Sequence, residues 1–166
     1  MITTSRYYWW TIILLCSGSL VGALFYQFSL GHEPCELCIY IRVWLVGIMA
    51  AASFGLVLRA YHWPTILLLS LMILLVVGLA KDVWVLLSID HNWPLDGYCS
   101  IEPNFPTWAR LDDFIPALFE VRSMCGPTPY LLFEISMADG LAIFCVALVL
   151  ALLLGVFTRV SLRQRL

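Results

Sequence analysis

Four long apolar stretches dominate this sequence and restrict the folds that are open to it. They cover approximately residues 8–30, 39–58, 63–87 and 141–157. Each one reaches or approaches the roughly 20 residues that an α-helix needs to cross a hydrocarbon core of about 30 Å. Because 62% of the residues are hydrophobic and only 12% are charged, a soluble globular domain is disfavoured. The pattern predicts an all-α membrane protein, a bundle of four transmembrane helices.

The charged residues predict which connections face each side of the membrane. Arginines mark the N-terminus, the connection between the second and third stretches, and the C-terminus: Arg6, Arg59, Arg159, Arg163 and Arg165. By the positive-inside rule these segments are cytoplasmic, which puts both termini on that side. Eleven acidic residues lie in or near the other two connections, at about 31–38 and 88–140: Glu33, Glu36, Asp82, Asp90, Asp96, Glu102, Asp112, Asp113, Glu120, Glu134 and Asp139. These two loops are expected to face outward, and their acidity disfavours nucleic-acid binding.

The second outward loop contains a short apolar pattern of its own. Apolar residues recur there at i, i+3, i+4, i+7 and i+8: Leu111, Phe114, Ile115, Leu118 and Phe119. This spacing predicts a short amphipathic helix with Asp112 or Asp113 at its N-cap. Such a helix either lies in the interface of the lipid bilayer or packs on the bundle, and both arrangements tether the loop. No internal repeat or long linker divides the chain, so residues 1–166 are expected to form a single domain.

The six cysteines divide into two groups by their positions. Cys16 and Cys145 fall within apolar stretches, where a small apolar side chain packs well between helices. The other four fall in the outward loops, which in a bacterium face an oxidising compartment: Cys35, Cys38, Cys99 and Cys125. These four are interpreted either as two structural disulfides or as redox-active thiols.

The sequence CELC at residues 35–38 stands at the beginning of the second apolar stretch. Its spacing allows a small, exchange-prone disulfide, and the free backbone N–H groups of a helix N-terminus stabilise a thiolate. A zinc site built from the four outer cysteines is a weaker alternative, because Cys99 and Cys125 lack close ligand spacing. Covalent haem attachment is weaker still, because Ile39 occupies the position of the required histidine.

Arg42 lies four residues after Cys38 and seven after Cys35, so these three side chains share one helical face. A charge within the membrane is costly and indicates a function. A quinone fits this face, because it is lipid-soluble, reacts near a thiolate and develops negative charge on oxygen. The alternative is an arginine that extends to the outer headgroups. Together the cysteine pairs predict an electron path from a soluble protein dithiol through Cys99 and Cys125, then through the CxxC pair, to a membrane quinone.

The segments around these cysteines resemble the disulfide bond formation protein B (DsbB) family. The first carries Gln27 within "LFYQ", then "EPCELCIY" and Arg42, and the second carries "FPTWARLDDFIPALF" before Cys125. The resemblance extends from the first apolar stretch to the fourth. It implies a protein-dithiol:quinone oxidoreductase of the bacterial inner membrane that supports disulfide bond formation. Its expected partner is a periplasmic thioredoxin-fold oxidase, DsbA-like or DsbL-like, and its expected electron acceptor is ubiquinone or menaquinone.

The resemblance also implies a role for each site residue. Cys99 would form the mixed disulfide with the partner, and Cys125 would be its resolving mate. Cys35 would exchange with that loop pair, and Cys38 would be the thiolate beside the quinone. Arg42 would help to bind the quinone.

Two departures from the family pattern concern the sub-branch more than the chemistry. Ile41 stands where the family usually has Glu or Gln, and the stretch after Cys125 lacks the Pro and Trp that commonly follow. The surplus of acids outside suggests that the partner's docking surface is basic, as in a dedicated DsbL-like oxidase served by the related DsbI branch.

Two other interpretations compete with this one. Vitamin K epoxide reductases also couple loop cysteines to a quinone, but there the CxxC motif follows the loop pair, whereas here it precedes it. The rival from a different class is a non-catalytic membrane scaffold whose outer loops are stapled by disulfides. That interpretation leaves Arg42 and the CxxC motif without a role.

Overall fold

Four long α-helices make up most of this protein. The computed structural model describes residues 5–93, 111, 115–126, 128–132 and 135–163. In chain order the elements are α1 (Arg6–Ser29), α2 (Glu36–Leu58), α3 (His62–Asp90), α4 (Pro116–Phe119), β1 (Tyr130–Leu132), β2 (Ile135–Ser136) and α5 (Met137–Arg163). The four long helices are long and apolar enough to cross a membrane. The predicted four-helix membrane bundle is therefore confirmed.

The long helices extend beyond the apolar stretches at several ends. Examples are the start of α2 (Glu36 rather than residue 39), the end of α3 (Asp90 rather than 87) and both ends of α5 (Met137 rather than 141, and Arg163 rather than 157). These extra turns are helical because the backbone hydrogen bonds continue past the apolar region. The Ile39 N–H, for example, donates to the Cys35 carbonyl at 3.1 Å. As a result Cys35 is the N-cap of α2 and Cys38 lies in its first turn.

Each long helix buries a narrow stripe of side chains. On α3 the buried apolar residues recur three or four positions apart: Leu69, Met72, Val76, Leu79, Val83 and Leu86. This spacing keeps one face of the helix turned toward its neighbours, as in knobs-into-holes packing. The outer faces carry exposed apolar side chains, such as Val57 (75% exposed) and Phe157 (72%). Apolar surface of this extent is unfavourable in water and suits a lipid environment.

The helices follow one another in chain order around the bundle. α2 packs against both α1 and α3, and α3 packs against α5. The first and last of the four long helices are joined as well. The Tyr8 hydroxyl of α1 donates a hydrogen bond to the Ala151 carbonyl of α5 at 3.2 Å. Because the connections on both sides of α2 are short, its neighbours run antiparallel to it.

One carboxylate that the sequence places near an outward connection lies inside the bundle instead. Asp82 belongs to α3, is only 8% exposed, and accepts a hydrogen bond of 2.7 Å from the Trp44 indole N–H of α2. The Trp44 ring also packs on Gly78, where a Cβ would lie 2.7 Å from it. Sequence spacing does not predict this pair, because the partner of Asp82 comes from another helix. The hydrogen bond offsets part of the cost of burying the carboxylate and joins α2 to α3.

The outward loop contributes three short described elements. α4, with Ile115 at its N-cap and Pro116 as its first residue, covers the C-terminal end of the helix that the apolar pattern predicts. Leu111, at the predicted start, is also helical, and its carbonyl accepts a hydrogen bond from the Ile115 N–H at 3.0 Å. Asp112 and Asp113, the predicted N-cap residues, lie outside the described residues. β1 and β2 pair as a two-stranded antiparallel sheet next to α5, which the sequence pattern did not predict. Strand pairing satisfies backbone N–H and C=O groups that a loop packed on the bundle would otherwise leave unpaired.

Substitution of Gly55 is expected to destabilise the bundle. A Cβ at this position of α2 would collide with the Trp9 ring of α1, which is completely buried. Overpacking of this kind costs roughly 1–3 kcal/mol, so thermal denaturation in detergent should show a lower melting temperature for Gly55→Ala. Gly47→Ala is the matched control on the same helix, because a Cβ there would approach only Leu75, at 3.7 Å. Equal losses in both variants would contradict the close contact between α1 and α2.

Candidate active site

Two free cysteines face each other at the start of α2. Cys35 is the N-cap, and its thiol donates a hydrogen bond to the Cys38 sulfur, with the two Sγ atoms 3.0 Å apart. The CxxC spacing produces this contact because residues i and i+3 lie on the same side of a helical turn. Cys35 is buried and Cys38 is half-buried. The pair is a shielded dithiol from which a disulfide is able to form.

The hydrogen bond within the pair distinguishes the two sulfurs. Donation to Cys38, together with burial, raises the pKa of the Cys35 thiol above its ordinary value. Cys35 is therefore the member of the pair that keeps its proton at neutral pH. Cys38 accepts that proton's hydrogen bond in the first turn of α2, where unpaired backbone N–H groups favour a negatively charged ligand or side chain.

Arg42 lies one turn further along α2 and is almost completely buried, with 4% of its surface exposed. Its Nη1 atom donates to the Gln27 side-chain oxygen of α1 at 2.7 Å and to the Leu118 carbonyl of α4 at 2.9 Å. The guanidinium therefore binds within the bundle and does not extend to outer headgroups. Its buried Nε atom has no hydrogen-bond partner in the part of the chain that the structure describes. A buried donor of this kind is costly unless a ligand accepts from it.

A cavity adjoins both Cys38 and Arg42. Each long helix contributes to its walls, and most of the lining is apolar, including Ile41, Leu45 and Leu86. Ile41, where the chain departs from the family pattern, is buried and belongs to this apolar wall. A concave, mainly apolar site with a few polar groups is typical of small-molecule and cofactor binding.

The loop segment that carries Cys125 is held beside the start of α2. The backbone N–H groups of Arg122 and Ser123 donate to the Pro34 carbonyl at 3.1 and 3.3 Å. Ser123 also pairs with Cys35 in a single parallel β-bridge. Cys125, two residues further on, is half-buried and disulfide-bonded. The contacts therefore keep the outer loop next to the CxxC pair.

The structure thus brings Cys35, Cys38 and Arg42 together, with the Cys125 segment alongside. Cys99, the remaining predicted site residue, lies outside the described residues. Because Cys125 is disulfide-bonded, it offers no thiolate in this state for the alternative zinc site.

The other two cysteines lie away from the predicted site. Cys16 and Cys145 are buried free thiols, which agrees with a packing role between helices.

The contact of Gln27 with Arg42 was not predicted. The sequence shows only that an amide side chain lies near the end of an otherwise apolar helix. The packing of α1 on α2 is needed to identify its partner.

A second polar cluster joins the ends of α3 and α5. The Asp90 Oδ1 atom accepts hydrogen bonds from the Thr128 N–H at 2.6 Å and from the Thr128 hydroxyl at 3.0 Å. The adjacent His91 Nε2 lies 2.9 Å from Asp139 Oδ1. The potential ligand atoms of Asp90, His91 and Asp139 lie within 4.8 Å of one another. Their hydrogen bonds connect the helix ends to the loop that follows Cys125.

The stability of the protein is expected to depend on the protonation of His91. Its hydrogen bond with Asp139, assisted by the charges of Asp139 and Asp90, raises the pKa of His91. A raised folded-state pKa means that the stabilisation is complete below the ordinary histidine range, near pH 6.5, and is lost as the pH rises through the raised value. The melting temperature in detergent should therefore fall slightly above about pH 6.5, because an exposed pair contributes little. The same slope in His91→Gln would assign the effect to another group.

Fold and site together define a class of protein. Four membrane-spanning helices, a CxxC dithiol at one end of the bundle and a disulfide in the adjoining loop are the parts of a multi-pass membrane thiol oxidoreductase. Comparison with known proteins agrees with this class and narrows it. The family model of disulfide bond formation protein DsbB matches residues 5–155. The chain belongs to the DsbB family, whose general activity is disulfide-forming oxidation.

Similar proteins named disulfide bond formation protein B occur in several bacteria. The one from Shewanella frigidimarina is 33% identical over 163 residues, which is 90% of this chain and 90% of the relative. The one from Shewanella denitrificans is 30% identical over 149 residues, or 89% and 85% of the two chains. A relative from Idiomarina loihiensis is 32% identical over 130 residues, or 71% and 66%. The similarity therefore covers most of both chains.

Proposed function

We propose that this protein is a protein-dithiol:quinone oxidoreductase. It reoxidises a periplasmic thioredoxin-fold oxidase, DsbA-like or DsbL-like, and passes the electrons to ubiquinone or menaquinone in the membrane. The net reaction converts partner dithiol and quinone into partner disulfide and quinol, and the enzyme ends unchanged. The observation that carries the proposal is the apolar cavity that Cys38 and the buried Arg42 line together.

The residues of this cavity fit a quinone in their chemistry. When bound, a quinone supplies a lipid-soluble acceptor for two electrons. The Arg42 Nε, buried and unpaired among the described residues, would donate a hydrogen bond to a quinone oxygen. Its positive charge would stabilise the negative charge that develops on that oxygen during reduction. The apolar walls, including Ile41 and Leu45, would hold the ring and exclude water.

A groove between α1 and α5 continues this cavity and supports the same ligand. The groove and the cavity have five lining residues in common: Ser19, Ala23, Tyr26, Met137 and Leu141. The α1 wall contains Gly18 and Gly22, where a Cβ would meet no atom of the described chain within 4 Å. Open apolar space beside these glycines suits the isoprenoid tail of a membrane quinone.

Electrons enter through Cys99 and Cys125, which we propose to be disulfide-bonded to each other. A thiolate of the reduced partner attacks the Cys99 sulfur, forming a mixed disulfide, and Cys125 leaves as a thiolate. The second thiol of the partner then displaces Cys99 and completes the partner disulfide. Two electrons and two protons have now passed to the loop pair.

The loop dithiol next exchanges with a disulfide between Cys35 and Cys38, through attack at Cys35. This step restores the Cys99–Cys125 disulfide and leaves the CxxC pair reduced. The backbone hydrogen bonds that join the Cys125 segment to Pro34 support the exchange, because they keep the two pairs close. The CxxC dithiol then gives two electrons and two protons to the quinone beside Cys38 and becomes a disulfide again.

We also propose how the protein is oriented in the membrane. The cysteine loops face the periplasm and both termini face the cytoplasm of a bacterial inner membrane, with residues 1–166 acting as one domain. Arg59, at the C-cap of α2, supports this orientation because its connection carries positive charge and no acid.

The test is an anaerobic assay with purified protein in detergent. A reduced thioredoxin-fold partner and a water-soluble quinone analogue are added, and quinone loss is followed by absorbance. The expected result is catalytic quinone reduction with one partner disulfide formed per quinone. Protein whose thiols have been reduced and alkylated is the control and should be inactive. Absence of turnover in the unmodified protein would favour the disulfide-stapled scaffold.

A further inference from the structure

Asp90 holds a loop residue that forms part of the cavity wall. Its Oδ1 atom accepts two hydrogen bonds from Thr128, at 2.6 Å from the N–H and 3.0 Å from the hydroxyl. Thr128 and the next residue, Pro129, both line the cavity that also contains Cys38 and Arg42. The end of α3 is therefore connected directly to the wall of the candidate quinone site.

The same loop residues are bonded to α5 on the other side. The Ala138 N–H donates to the Thr128 hydroxyl oxygen at 3.2 Å, and the Met137 N–H donates to the Pro129 carbonyl at 2.9 Å. The Thr128 hydroxyl thus donates to α3 and accepts from α5. Thr128 connects the two helix ends across the wall of the cavity.

We propose that Asp90 is a positioning residue of the quinone site. The inference rests on the proposed function, because it assigns Asp90 a part in quinone binding through Thr128 and Pro129. A loop wall lacks the internal hydrogen bonds that hold a helix or a sheet in place, so its position depends on contacts such as these. Small displacements of groups that position a reactant have large effects on its binding and reaction.

Loss of the Asp90 contacts should act differently on the two substrates of the enzyme, the quinone and the partner protein. The segment that carries Cys125 has its own anchor, the hydrogen bonds from Arg122 and Ser123 to Pro34. Loss of the Asp90 contacts should therefore affect the quinone side and leave the encounter with the partner protein unchanged. Asp90→Ala is expected to raise the KM for quinone about tenfold, with less than about a twofold change in the KM for the partner.

Asp90→Asn is the matched variant, because an amide oxygen still accepts both hydrogen bonds while the charge is lost. Its quinone KM is expected to stay within about twofold of the wild-type value. A rise in Asp90→Asn equal to that in Asp90→Ala would overturn the proposal, because the charge beside His91 and Asp139 would then explain the effect. Thr128→Val tests the same contact from the loop and should raise the quinone KM about threefold, whereas Thr128→Ser should not.

Backbone hydrogen exchange provides a measurement that does not depend on activity. The Thr128 amide is expected to exchange faster in Asp90→Ala than in the wild type or in Asp90→Asn, because its acceptor has been removed. Unchanged exchange in Asp90→Ala would overturn the proposal. A wild-type protein that fails to reduce quinone defeats the proposed function. A wild-type protein that reduces it, with an unchanged quinone KM in Asp90→Ala, defeats only this inference.

Discussion

The Cys38→Ser variant is expected to lose steady-state quinone reduction by about 1,000-fold or more. Serine cannot form a disulfide with Cys35, so electrons that reach the CxxC position have no route to the quinone. The loop disulfide is unaffected, and it should still oxidise about one equivalent of reduced partner before the reaction stops. Quinone absorbance measures the first effect, and titration of partner thiols measures the second.

Cys145→Ser is the control for this experiment. Cys145 is a buried free cysteine of α5 and has no role in the proposed path. Its turnover should equal that of the wild type. Full turnover in Cys38→Ser would remove Cys38 from the path, and an equal loss in Cys145→Ser would show that the assay reports folding instead of electron transfer.

The Arg42→Met variant is expected to raise the KM for quinone by about 10- to 100-fold, the range expected when a charged hydrogen-bond donor is lost. Methionine has a similar length and fits the apolar surroundings, but it cannot donate to a quinone oxygen or stabilise charge on it. The KM for the partner protein should change less than about twofold, because Arg42 is buried in the bundle. Both constants come from the same assay with one substrate varied at a time.

Arg42→Lys separates charge from geometry. Lysine keeps a positive charge but presents it as a point charge without the planar fork of a guanidinium. Its quinone KM should therefore fall between the values of the wild type and Arg42→Met. Melting temperatures of all three proteins control for the lost bonds to Gln27 and Leu118. A larger increase in the partner KM than in the quinone KM would remove Arg42 from the quinone site.

Much of the fold could be predicted from the sequence. The four apolar stretches predict the four long helices because transfer of apolar residues into lipid and helical hydrogen bonding are both properties of a continuous segment. The spacing of Cys35, Cys38 and Arg42 predicts their common face for the same reason. The helix ends differ by a few residues, as at Glu36, because polar turns beyond the hydrocarbon remain helical.

The partners of polar residues could not be predicted in this way. The sequence places Asp82 near an outward connection, yet it is buried and accepts a hydrogen bond from Trp44. In the sequence Gln27 is only part of the motif that resembles the family, yet its side-chain oxygen accepts a hydrogen bond from the Arg42 guanidinium. The pairing of β1 with β2 was missed because two strands this short have little periodicity of their own.

The sequence by itself determined that this is a membrane protein with four helices able to span the bilayer. It also determined that a dithiol and a cation lie one turn apart on the same helix. Each of these follows from residues within one continuous segment. The tertiary structure alone decided that α1, α3, α5 and the outer loop enclose a cavity beside Cys38 and Arg42. It also decided that Asp90 holds the wall of that cavity through Thr128. These contacts join residues 15 to 76 positions apart, as in the bonds from Arg42 to Gln27 and Leu118, and they exist only because helix packing brings their elements together.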